Sequence, residues 1–105
     1  MYLAITCSNN KTDLYIDWET FIGTSNHNVT VRIGDEKAFT KRWLISNDNT
    51  TSFYPSSPVA FLKKLSESKI MVARVSPYND NDLTITFNLS GIDKALQEVR
   101  RECKW

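Results

Sequence analysis

From Leu83 to Leu89 every apolar residue is followed by a polar one, with Leu83, Ile85, Phe87 and Leu89 alternating with Thr84, Thr86 and Asn88. This period of two puts the apolar set on one face of a strand and the polar set on the other. A chain built from such strands must bury one side of a sheet and wet the other, which is the habit of antiparallel sheets. The same alternation recurs in Leu3-Ala4-Ile5-Thr6-Cys7 and from Thr12 to Trp18, where Leu14, Ile16 and Trp18 face inward. Ser8-Asn9-Asn10-Lys11 separates the two runs, predicting a β-hairpin with a loop of about four residues. Val29, Val31 and Ile33 form another inward row, with Thr30 and Arg32 opposite. Turns at Gly34–Lys37 and Asn47–Asn49 frame a strand from Phe39 to Ser46 that carries Trp43 and Ile45. Short strands follow at Thr50–Tyr54 and Ile70–Val75.

Two segments change period. Ser57 is suited to cap a helix and Pro58 to open it, with Phe61, Leu62 and Leu65 as its apolar stripe. Ile92, Ala95, Leu96, Val99 and Cys103 share one face of a second helix, capped by Ser90 and with Asp93 in its first turn. Arg100, Arg101 and Lys104 suit its C-terminal end. The expected fold is therefore α+β: a small antiparallel β-sandwich or curled sheet with two short helices, formed by a single domain over residues 1–105. A chain of 105 residues buries only about 60–65% of its unfolded surface, so the core is narrow.

Charge excludes more than it suggests. Thirteen Lys and Arg against twelve Asp and Glu leave a net charge of +1, without the clustered cations that phosphate backbones require, so no nucleic-acid partner is expected. No apolar run approaches the roughly 20 residues of a membrane span. The first residues lack the charged start and long apolar core of a signal peptide.

No catalytic or cofactor motif is present. Asp13 and Asp17 share the solvent side of a strand, where a carboxylate pair is geometrically conceivable and a solvated face is the simpler reading. Asp80 and Asp82 lie in the polar loop Ser76–Asp82, without the spacing of a calcium loop. One histidine, His27, and two cysteines, Cys7 and Cys103, cannot supply a four-ligand zinc site. The cysteines read as buried thiols, as a disulfide closing nearly the whole chain, or, with His27 as the single imidazole, as a nucleophile. The disulfide would imply an oxidising compartment. Trp43 and Phe53 read first as core. Tyr54 and Tyr78, beside prolines in loops, read as recognition residues. Arg32 and Arg74 sit mid-strand, as partners in ion pairs or as contacts for an anionic partner.

The order of these pieces then becomes informative. Leu3–Cys7, Thr12–Trp18, Val29–Ile33 and Arg42–Asp48 are followed by Phe53, Arg74–Tyr78, Phe87–Ile92, Ala95-Leu96, Arg100, Cys103 and Trp105. The set spans essentially the whole chain. Its most specific part is Phe-x-Leu-x-Gly followed by Cys-x-Trp. It resembles the VasI proteins, also called TagO, which are accessory components encoded with bacterial type VI secretion systems. The resemblance implies an exported, periplasmic domain, a Cys7–Cys103 disulfide, and a role in binding a protein or envelope partner rather than in catalysis. The expected contact surface joins Arg32, Trp43, Ser46 and Asp48 to the segment Arg74–Tyr78. No metal or cofactor is expected. The alternatives are a small envelope enzyme or inhibitor acting on cell-wall polymers, and a phage-borne exclusion protein that binds an envelope component.

Overall fold

A computed structural model of the chain describes residues 1–78 and 80–105. Asn79, within the loop Ser76–Asp82, lies outside the described residues. The elements run β1 (Tyr2–Ser8), β2 (Lys11–Asp17), β3 (His27–Ile33), β4 (Phe39–Ile45), β5 (Thr51–Phe53), α1 (Val59–Ser66), β6 (Ile70–Val75), β7 (Leu83–Asn88) and α2 (Ile92–Cys103). All seven strands join one antiparallel sheet in the order β1-β2-β5-β4-β3-β6-β7. It is a single curled sheet, not two separate sheets, and both helices are present.

The inward rows are those that the alternation indicates. Leu14, Ile16, Trp18, Val29, Val31, Ile33, Trp43, Met71, Ala73 and Val75 are buried in one apolar cluster. Leu3, Ile5, Ile45, Leu83, Ile85 and Phe87 pack against it while remaining partly open. Helix α1 contributes Phe61, Leu62 and Leu65 to this core. Helix α2 buries Leu96, Val99 and Cys103. The Cys7–Cys103 disulfide ties α2 to β1, with the two Cα atoms 5.9 Å apart.

Several boundaries fall differently from the sequence expectation. The first hairpin has a two-residue loop, since Ser8 already pairs with Lys11. Asn9 and Asn10 both take left-handed backbone angles (φ 50° and 59°), which asparagine tolerates better than most residues and which match the twist of the flanking strands. Pro58, not Ser57, caps α1: Pro58 is buried, and its carbonyl accepts from Leu62 N–H at 2.8 Å. Gly91 caps α2 at φ 83°, while Ser90 N–H is held by Asn88 Oδ1 at 2.9 Å. Gly34 is required where β3 ends. Its φ is +55°, and a Cβ there would stand 2.7 Å from Ser68 Oγ.

Two buried tryptophans stand at the centre. Trp18 Nε1–H donates to Ser52 Oγ at 2.9 Å, and Ser52 also meets His27 Nε2 at 2.5 Å. His27 Nδ1 lies 3.2 Å from Ser25 C=O, an arrangement that makes Nδ1–H the donor and leaves Nε2 to accept the serine proton. Burial of the imidazole pushes the His27 pKa below its ordinary value, and the nearby Arg42 charge adds to this. Trp43 meets the Tyr54 ring edge-on at 5.2 Å.

Candidate binding face

Strand register decides which polar side chains meet on the outer face of the sheet. Arg74 stands opposite Thr30 on β3 and opposite Thr84 on β7. Arg32 stands opposite Val72, two residues along β6 from Arg74. The two arginines are thus diagonal neighbours, roughly 7–8 Å apart at their roots. Arg42 joins them from β4, opposite Asn28. Thr30 and Thr40, also a cross-strand pair, share a hydroxyl hydrogen bond of 2.8 Å. Three exposed arginines therefore flank a threonine pair on the outer face of the sheet. Arg32 has a weak solvent-exposed partner, Asp35 at 3.8 Å. Arg42 and Arg74 have no ion pair among the described residues.

The candidate carboxylate pair, Asp13 and Asp17, lies on the other wing of the sheet. Asp13 and Asp17 project from the outer face of β2, with Lys11 3.9 Å from Asp13. Four residues along a strand separate these two carboxylates by about 13 Å, beyond the spacing of about 5–9.5 Å at which carboxylate pairs cleave glycosides. Between them Tyr15 packs on Phe53 with ring centroids 5.2 Å apart.

The remaining expected contact residues divide. Ser46 and Asp48 belong to the β4–β5 turn. The Ser46 hydroxyl donates to the Asp48 carboxylate and accepts from Thr51 N–H at 3.1 Å. The Ser46 hydroxyl, with Thr50 N–H, holds the Asp48 carboxyl below its usual pKa. Both residues are occupied in bracing a turn. Tyr78 is 73% exposed at the same end of the sheet. Its N–H donates to Ile22 C=O at 3.2 Å. It borders a cleft of about 520 Å³ with Phe21, Gly23, His27 and Ser76.

Trp43 must be removed from the contact surface. It is fully buried, because on β4 it faces the core opposite His27 on β3. Tyr54 is likewise no free recognition residue; it packs on Trp43 and on Phe61. The structure brings Arg32 and Arg74 together, and separately gathers Ser46, Asp48 and Tyr78 at one end. Arg42 is the member that sequence reasoning missed. The signal was present: if Trp43 points inward, Arg42 must point out.

Among the described residues, no three of His, Cys, Asp and Glu stand close enough to hold a metal ion. No helix among them is long and apolar enough to cross a membrane.

The family model described as "Type VI secretion system VasI, EvfG, VC_A0118" matches residues 1–105. The chain belongs to the VasI family. The match covers the same span that the sequence resemblance covered, so this VasI chain is a type VI secretion-associated protein. Its Cys7–Cys103 bond is consistent with an exported or envelope protein. No curated protein and no solved structure matches the chain.

Proposed function

We propose that this VasI-family domain is a non-enzymatic periplasmic module that binds a protein or envelope partner of the type VI secretion machinery. The observation that supports this most is the arginine face: Arg32, Arg42 and Arg74 exposed around the Thr30–Thr40 pair, with Arg32 alone in an ion pair among the described residues. Guanidinium groups recognise carboxylates and phosphates with paired hydrogen bonds, so the face suits an anionic partner surface. Tyr78 and Phe21 add exposed aromatic area at the loop end. The periplasmic reading draws on the disulfide and the family.

Alanine at Arg32, Arg42, Arg74 and Tyr78 tests the reading. These variants keep the circular dichroism spectrum and melting temperature of the parent while secretion-dependent killing of competitor cells falls. Full secretion activity in all four folded variants overturns the face as the site. Fractionation of the native host, with intact mass after alkylation without reductant, tests the compartment. An alkylated, reduced protein in the cytoplasmic fraction removes it. Turnover of cell-wall polymers by the purified domain, lost in Asp13→Asn, would replace binding with catalysis.

A further inference from the structure

A sheet of seven antiparallel strands leaves its two edge strands, β1 and β7, running in the same direction. Curling brings these edges to either side of one groove of about 360 Å³. Leu3 and Ile5 of β1, Phe87 of β7, Leu89, and Ile92 and Ala95 of α2 line it. All except Leu89 are partly or well exposed, so the apolar interior is open here.

The backbone along this groove is unpaired. Ser8 and Lys11 close the two-residue hairpin as a hydrogen-bonded pair, so Tyr2, Ala4, Thr6 and Ser8 turn their N–H and C=O groups toward β2. Leu3 and Ile5 therefore turn theirs outward. On β7 the bond from Leu89 N–H to Lys69 C=O, 2.8 Å, sets the opposite parity. Thr86 and Asn88 consequently face away from β6. None of these outward N–H and C=O groups has a partner among the described residues.

The occupant follows from electrostatic complementarity. Partial positive N–H groups and partial negative C=O groups alternate along the β1 edge, and another extended backbone carries the matching alternation. A lipid chain would cover Leu3, Ile5 and Phe87 but leave those dipoles unmatched. A strand running antiparallel to β1 is antiparallel to β7 as well, which extends the pattern of the whole sheet. Its inward side chains would be apolar and its outward ones polar.

We propose that the β1 edge, with the groove beside it, receives an extended segment of a partner protein by strand addition. The proposal rests on the reading of this domain as a binding module, and it names a surface separate from the arginine face. The test selects displayed linear peptides on the full wild-type domain, counter-selected on Ala95→Glu, which places a charge in the groove at an exposed position. Enriched sequences alternate apolar and polar residues. With a selected peptide bound, the amides of Leu3 and Ile5 exchange about tenfold more slowly, and methylating alternate peptide nitrogens weakens binding about tenfold or more. Leu3→Pro, which removes an edge donor and no β2 hydrogen bond, weakens binding similarly. Arg32→Ala with Arg74→Ala leaves peptide binding unchanged, which separates this site from the arginine face.

Several results overturn the proposal. One is a selection without alternating sequences. A second is unchanged exchange at Leu3 and Ile5, or equal binding of the methylated peptide. A third is protection of those amides in a concentration-dependent dimer without peptide, which would assign the edge to a second copy. A fourth is partition of the domain into lipid vesicles that Ala95→Glu abolishes, which would assign the groove to lipid.

Discussion

The two wings of the sheet are stabilised differently. On the wing of β1, β2 and β5, specific ties supplement the packing: the Cys7–Cys103 bond, Trp105 Nε1–H donating to Thr12 Oγ1 at 2.9 Å, and the Trp18–Ser52–His27 chain. On the wing of β3, β6 and β7, Val29, Val31, Ile33, Met71, Ala73 and Val75 are buried together by apolar packing, and His27 at the start of β3 reaches across to Ser52. The difference teaches where a narrow core needs help. Helix α2 buries only Leu96, Val99 and Cys103, and the Cys7–Cys103 bond fastens it to β1. The interior strands of the other wing have neighbours on both sides and hold by packing.

The largest effect that tests this contrast is loss of the disulfide. Replacing Cys7 and Cys103 by alanine, which opens a loop with a sequence separation of 96, should cost about 4 kcal/mol in denaturant unfolding. A loss under about 1 kcal/mol would show that α2 holds without its tie. On the other wing, Met71→Ala should cost about 3 kcal/mol, since the residue is fully buried. Hydrogen exchange should then show loosening that begins in β6 rather than in α2. Ser52→Ala should cost about 1–2 kcal/mol by leaving the buried Trp18 indole N–H without an acceptor. An unchanged midpoint would mean that the polar chain contributes little and that both wings rest on packing.

A smaller effect is expected from His27. The fold disfavours its protonated form, so below its unfolded pKa of about 6.5 the unfolded chain binds more protons. Its contribution is whole above that pH and is lost as pH falls through 6.5 toward the lower folded value. Melting temperature should decline over that window, and His27→Gln should flatten the decline. The smallest effect belongs to the outer face. Alanine at Arg32, Arg42 or Arg74 should shift stability by no more than about 0.5 kcal/mol, because each is exposed and at most weakly paired. A larger loss would make the arginines structural and weaken the case for a binding face.

Much of this was legible in the chain. Alternation placed Leu14, Ile16, Val29, Val31 and Ile85 on their faces, and helical spacing put Cys103 on the inner side of α2. Those patterns are local consequences of strand and helix geometry. The contact residues were less legible. Trp43, Ser46 and Asp48 lie close together in sequence, yet Trp43 is buried and the other two brace a turn. Residues adjacent along a strand point to opposite faces, so nearness in sequence is a poor guide to shared surface.

What the sequence by itself determined is the set of elements, the inward and outward side of most strands, the placement of both cysteines toward the core, and the family. Periodicity and spacing carry that information within single segments. Only the tertiary structure decided that β5 lies between β2 and β4, that Arg42 joins Arg32 and Arg74, and that β1 and β7 flank an open groove. Strand order and register are set by pairings between distant segments, where hydrogen bonding alone permits many partners. The choice falls to whichever arrangement buries all the inward rows together.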